Sequence, residues 1–373
     1  MRREALIDAL RAYALLGVFV VNALCYVYAF EGSTLGRALP PDSQAALWVH
    51  IVTGSLFQAK SYPLLAFLVG YSLAMTLRGA QRSGVSLASA LEQRHQRTSR
   101  QLALGVVHGT FLYYGDILTN YALLSFVLLR LARRRVMTIV RFTAGLAIVL
   151  VALLALQFTS HQNIGYVSSN GAITQVSTLN EWWRLNAAAY FAQLTGVVFL
   201  VPWLLLPASL GLIAGRLRWL ERPRRWAAQW RRVARVALPI GALASIAHGV
   251  SASLASARSG GFAMTNAEPF LVVIGMVFDA GLLGLAALAY HEGRGRGIAA
   301  WLAPAGRMSL SLYIAASMTM LLLFAGPTLN LAPRLGSIGL FGFGVGFWVL
   351  SILIARAWQR GGRRGPFEAW MAR

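Results

Sequence analysis

The chain has 373 residues, of which 57% are hydrophobic and 12% charged, with a mean hydropathy of +0.59, a composition that excludes an ordinary soluble domain. The formal net charge of +22 is parcelled into short basic segments between apolar runs, which argues against a nucleic-acid-binding face. Cys25 is the only cysteine, so an intramolecular disulfide and a cysteine-pair redox site are both excluded.

Apolar runs of about 20 residues, the length that crosses a ~30 Å hydrocarbon core as helix, recur from end to end. The weak alternation of an outer-membrane barrel is absent. The reading is all-α: one polytopic helical domain over residues 1–373, with about ten transmembrane helices and two interfacial amphipathic helices. A short basic start, residues 1–8, leads into a first span at 10–30, read as an uncleaved helix, with Asp8 and Arg11 at its beginning and Asn22 further along. Residues 45–57 read as a Trp-bearing amphipathic segment at the outer surface, followed by Lys60, the only lysine, and a second span at 63–77. A basic inner loop at 78–101 precedes two short spans, 102–114 and 117–131, which meet at Gly115-Asp116.

Arg130 to Arg135 close the inner side, a fifth span covers 136–158, and the polar stretch 159–181 is an outer loop. Residues 182–194 form the second amphipathic segment, and 195–215 the sixth span. The inner segment 216–235 combines eight arginines with Trp219, Trp226 and Trp230, the composition of a helix lying on an anionic inner leaflet. Further spans at 236–253, 269–290, 308–324 and 337–358, an inner loop at 291–300 and a basic tail at 359–373 complete the chain. With this alternation 27 of the 34 basic residues fall on the inner side and 5 on the outer, while Arg11 and Arg307 sit in inner span ends; both termini are expected in the cytoplasm.

Ionisable residues inside spans are costly and usually face a bundle interior or a water-filled cavity. His108, His248 and Asp279 fall near mid-membrane with Asn22, Lys60 and Asp116 toward the outer face, and Glu368 toward the inner. No second histidine or carboxylate stands at ligand spacing from His108, so no metal is expected and a general base is the better chemistry. Eight residues of helix would put Asp116 ~12 Å from His108, which makes Lys60 the expected partner of Asp116 and leaves His108 to find one on another span. His248 and Asp279 on adjacent spans form a second expected pair, structural or proton-relaying. Gly342 and Gly346 share one helix face at small-residue spacing and are expected to pack closely on a neighbour.

The order of these polar positions resembles the YeiB-like family of bacterial inner-membrane proteins. The resemblance is carried by Ile7-Asp8-Ala9-Leu10-Arg11 with Asn22, and by Lys60 with Phe67 and Gly70. Gly105, His108-Gly109, Gly115-Asp116-Ile117-Leu118 and Tyr121 continue it, and Gly306-Arg307-Met308 with Tyr313 and Gly365-Pro366-Phe367-Glu368 close it. Ala12, Ser61, Leu312 and Ala316 depart from the family pattern. That family is distantly similar to transmembrane acyltransferases of the heparan-glucosaminide N-acetyltransferase type. The resemblance implies a multi-pass protein of the bacterial cytoplasmic membrane that moves an acyl group from cytoplasmic acyl-CoA to a small-molecule acceptor. Arg11, Arg307, Asp8 and Tyr313 would hold the cofactor, Asn22 would orient the carbonyl, and His108 with Asp116 would serve catalysis. Lys60 and Tyr121 would shape the outer mouth, with His248, Asp279 and Glu368 as secondary candidates. The partners expected are a bilayer with an anionic inner leaflet and a second copy in a homodimer, with no nucleic acid. The competing expectation is a proton-coupled transporter or exporter of a small anionic or amphipathic solute.

Overall fold

The computed structural model describes residues 5–26, 43–160, 176–195, 197–259 and 268–372. The start at 1–4, the segment containing Pro40-Pro41 and most of the 159–181 loop lie outside the described residues. Every regular element among the described residues is a helix. They run α1 (Ala5–Tyr26), α2 (Gln44–Leu56), α3 (Ser61–Arg82), α4 (Leu87–Phe111), α5 (Leu118–Leu131), α6 (Val136–Ser160) and α7 (Leu179–Thr195). Then follow α8 (Val197–Arg216), α9 (Pro223–Ser259), α10 (Glu268–His291), α11 (Arg296–Arg307), α12 (Ser309–Phe324), α13 (Ala332–Arg360) and α14 (Pro366–Trp370).

Apart from Asp8, Arg11 and Asn22, α1 is apolar on all sides, and a helix of that kind belongs in the middle of a protein. Ala12, Ala14, Val18, Phe19, Val20 and Ala23 are all buried, with α11, α12 and α13 on one flank and α3 on another. Close approach is set by glycine at defined points. Gly70 of α3 lies against Ala208 and Leu212 of α8, and Gly306 of α11 lies against the Asp8 backbone of α1. In α13 it is Gly344, not Gly342 or Gly346, that meets a neighbour: a Cβ there would stand 2.6 Å from Val20 Cα, whereas nothing lies within 4 Å of the other two. Gly344 lies about 200° around the helix from either of them, so the covered face is the opposite one; a four-residue spacing of glycines cannot say which side is covered.

Six helices among the described residues are long and apolar enough to cross a membrane, or seven when α11 and α12, bent by 67°, count as one span. The other expected spans fall short of that length and composition among the described residues for identifiable reasons. The 14 residues of α5 cover only ~21 Å. α4 extends far into the basic segment 78–101, so that its apolar part is just its last turns. The segment 216–235 is not a separate helix: from Pro223 it belongs to α9, one 37-residue helix that runs directly into the next span. Trp230 is fully buried and stacks on His291 at 5.2 Å, and Trp219 packs edge-on to Trp230. The 291–300 loop likewise gives way to α11 from Arg296 onward.

Neither amphipathic segment lies apart from the bundle. α2 packs on α9, where Gly54 and Gly249 approach backbone to backbone, and it continues into α3 as a single 39-residue segment, Gln44–Arg82, broken at residues 57–60. Ala59 has φ +59° at that break. α7 buries Trp182, Asn186, Ala189 and Tyr190, a stripe of helical spacing, against α4.

Candidate functional site

α4 ends at Phe111, and residues 112–117 turn the chain back into α5. Non-helical backbone at membrane depth survives only where protein satisfies its polar groups. Here Asn186 of α7 does most of that. Its Nδ2 donates to the carbonyls of Gly109 and Thr110, both at 2.8 Å, and its Oδ1 accepts from Tyr114 N at 2.8 Å. Tyr190, one turn on, lies over Gly109 and shares a 2.8 Å hydrogen bond with Thr119 Oγ1. Asp116 begins α5, its carboxylate accepting from Leu118 N at 3.1 Å and Thr119 N at 2.7 Å. Gly105 admits this helix start, since a Cβ there would be 2.5 Å from Thr119 N and 3.0 Å from Asp116 Oδ2.

The turn brings together two residues that the sequence reading had set apart. His108 Nδ1 is 2.8 Å from Asp116 Oδ1, with both side chains fully shielded from solvent. The ~12 Å separation assumed helix through residue 114; the early end of α4 folds Asp116 back onto the imidazole instead. The two atoms are in contact without the alignment of an N–H···O bond. On the other side of the ring, Nε2 is 2.8 Å from Ser317 Oγ of α12. The anionic neighbour favours the proton on Nδ1, which leaves Nε2 to accept from the Ser317 hydroxyl. The Tyr313 ring lies 4.8 Å from the imidazole, and its hydroxyl accepts from Ile117 N at 3.4 Å.

Around this trio stands a cage of tyrosines. Tyr121 OH donates to the Tyr62 carbonyl at 2.9 Å, Tyr62 OH donates to Asn22 Oδ1 at 3.1 Å, and Tyr114 OH donates to the Cys25 carbonyl at 3.2 Å. Asn22 is buried, and its Nδ2 has no hydrogen-bond partner among the described residues.

Lys60 does not meet Asp116. It sits at the α2–α3 break and donates to the carbonyls of Gly54 at 2.8 Å and Gln58 at 3.0 Å, where a broken helix leaves acceptors free. It faces α9 and α10: a Cβ on Gly275 would be 3.8 Å from Lys60 Nζ and 3.2 Å from Ser245 Oγ. His248 and Asp279 belong to this second cluster but make no bond to each other. Both ring nitrogens of His248, Asp279 Oδ2 and Ser245 Oγ are buried without hydrogen-bond partners among the described residues.

At the basic end of the bundle, Arg11 pairs with Asp8 at 2.8 Å and donates to Ser72, while Arg307 Nε donates to Gln359 at 2.7 Å. The packing of Gly306 on Asp8 puts both arginines at that end. Tyr313 is not with them. Glu368 is an end-cap: its carboxylate accepts from Leu310 N at 2.8 Å and Ser311 N at 3.0 Å at the start of α12. Among the described residues no group of three or more His, Cys, Asp or Glu side chains could hold a metal ion.

Residues 214–373 match the family described as "Protein of unknown function (DUF418)". Over 410 aligned residues, covering 100% of this chain and 93% of the relative, the chain is 23% identical to the uncharacterized protein YxaH of Bacillus subtilis (strain 168). Both findings accord with the YeiB-like resemblance of the motifs, and neither extends to the transmembrane acyltransferases. The DUF418 region supplies Arg307, Tyr313, Ser317 and Glu368, whereas His108 and Asp116 come from the part of the chain before it.

Ser317 and Asn186 are the two site residues that the sequence did not reveal. A serine in an apolar helix ordinarily spends its hydroxyl on the carbonyl one turn back, so nothing marks Ser317 beforehand. Asn186 had a faint signal, as an amide on the apolar stripe Trp182, Asn186, Tyr190. Asn186→Ala would orphan two carbonyls and one N–H, each costing about 1–3 kcal/mol when buried. The expected result is a clearly lowered thermal transition of the detergent-purified protein, in Asn186→Asp as well, since a carboxylate has no N–H for the two carbonyls; an unchanged transition would count against this support of the turn.

Proposed function

We propose that the protein is an integral membrane acyltransferase of the bacterial cytoplasmic membrane, with both termini in the cytoplasm. Acyl-CoA approaches from the basic end, where Arg11 and Arg307 are suited to its phosphates. The acceptor, a hydroxyl or amine, reaches the buried site from the membrane or the opposite side. His108 removes the acceptor's proton as the acyl carbonyl is attacked and passes it to the departing thiolate. Asp116, whose carboxylate is already held by two backbone N–H groups, fixes the ring. Asn22, with an unspent amide N–H, is the donor for the carbonyl oxygen, and the tyrosines exclude water.

The observation that carries this reading is the bracketing of a fully buried His108 by a carboxylate at 2.8 Å and a hydroxyl at 2.8 Å. A histidine that merely fills space needs no carboxylate on its far nitrogen. The test is acetyl transfer from radiolabelled acetyl-CoA to membrane extracts by the purified protein in vesicles. No acyl-CoA binding and no transfer to any extract fraction would defeat the proposal.

A second reading, proton-coupled transport, draws on the other cluster. Lys60 at a helix break, with His248 and Asp279 on the two helices it faces, resembles the broken-helix sites of transporters. It expects solute flux that collapses with the proton gradient, survives His108→Ala and is lost in Asp279→Asn. Lys60→Met should abolish that flux too; flux indifferent to both substitutions would remove this reading.

A further inference from the structure

We infer that Ser317 is a nucleophile that takes the acyl group onto its own Oγ, so that transfer runs through a serine ester on α12. The inference rests on the acyltransfer reading above and adds to it a covalent step that His108 acting on the acceptor alone would not require.

Three groups stand in order: a hydroxyl, an imidazole and a carboxylate. Ser317 Oγ is 2.8 Å from His108 Nε2, and His108 Nδ1 is 2.8 Å from Asp116 Oδ1, all fully buried. Nucleophile, base and orienting acid within ~2.6–3.2 Å of one another is the arrangement by which a weak hydroxyl becomes reactive, and it recurs on unrelated folds. The hydroxyl has a choice of acceptor. The Tyr313 carbonyl one turn back, the usual partner of a helical serine, is 3.3 Å away, farther than the imidazole nitrogen. The trio also spans three separate segments, α4, the turn before α5, and α12, so local helix geometry does not produce it.

The chemistry closes. Ser317 Oγ attacks the thioester carbonyl carbon; the C–O bond forms and the C–S bond breaks. The proton from Oγ passes to His108 Nε2 and then to the departing thiolate. In the second half the acceptor's oxygen or nitrogen attacks the ester carbonyl, its proton passes to Nε2, and Oγ leaves and is reprotonated from the imidazole. Asp116 remains a carboxylate throughout. A dry site favours this route, since an ester shielded from water waits for its acceptor instead of hydrolysing.

The test uses the full-length protein purified in detergent, incubated separately with acetyl-CoA and with a small alkyl fluorophosphonate, then digested and mapped by mass spectrometry. The expected result is an acetyl or phosphonyl group on residue 317, absent in Ser317→Ala and formed at least about 100-fold more slowly in His108→Ala. Ser317→Cys, made with Cys25 replaced by Ser so that position 317 holds the only thiol, should still be acetylated, now as a thioester. Elution volume and thermal transition establish that each variant is folded. The absence of an adduct from either reagent on the folded wild-type protein overturns the inference, as does acyl transfer that persists in Ser317→Ala. Transfer that needs His108 but not Ser317 removes the nucleophile and leaves the acyltransferase. Phosphonylation of Ser317 by a protein that transfers no acyl group from any thioester removes the acyltransferase and keeps the nucleophile.

Discussion

Alanine at position 108 is expected to lower acyl transfer by about 10²- to 10⁴-fold, the range over which a positioned general base contributes. The loss should fall on kcat, because the imidazole meets the reacting proton and not the cofactor's phosphates. Asp116→Asn is the sharper companion. Asparagine caps a helix start about as well as aspartate, so the bonds to Leu118 N and Thr119 N can be largely kept while the charge beside Nδ1 disappears. Removing the orienting carboxylate of a serine–histidine–acid trio has cost about 10⁴-fold elsewhere, and a loss of about 100-fold or more is expected here. If His108 served only to tie α4 to α12, His108→Gln would restore function by reaching Ser317 with an amide. A steady-state assay of the three variants, each checked for an unchanged thermal transition, decides the matter; full activity in His108→Gln defeats the base.

The second large effect is on folding. Gly306→Val should all but abolish recovery of folded protein, because the added carbons would run into the Asp8 backbone: beyond its carbonyl oxygen, a Cβ would be 2.9 Å from Asp8 Cα. Overpacking costs about 1–3 kcal/mol when side chains can move, and here the obstacle is main chain of the central helix. α11 would have to leave α1, taking the start of α12 with it. Gly342→Val is the control, since nothing lies within 4 Å of that position. Equal yields of the two variants in detergent, read by fluorescence size exclusion, would refute this account of the packing.

The helices themselves were legible in the sequence, because long apolar runs in a chain of 12% charge leave little choice. α1, α5, α6, α10 and α13 appear within a few residues of their expected bounds. What sequence could not supply was depth and direction. The sequence marks Lys60 only as a charge before a span, and the structure sets Ser61 beside it against Gly17, midway along α1. α2 was read as interfacial because 13 residues cannot cross a bilayer, although they can form one limb of a broken span. The candidate site was half legible. His108 and Asp116 stood out as ionisable groups among apolar neighbours, and the need for a partner on another span is met by Ser317. Their direct contact was missed because it depends on where α4 stops, and that is fixed by Asn186, more than 70 positions later.

The spacing of the trio along the chain has a consequence for synthesis. Position 317 is made 209 residues after position 108, an interval of about 10 to 40 s at ordinary elongation rates. A lone carboxylate entering the bilayer during that time would be costly, but Asp116 follows His108 by only eight positions and leans on it within the same hairpin. The α4–α5 hairpin thus has its charge answered once Asn186 follows, 70 positions after Asp116, and the group that would make it reactive arrives last.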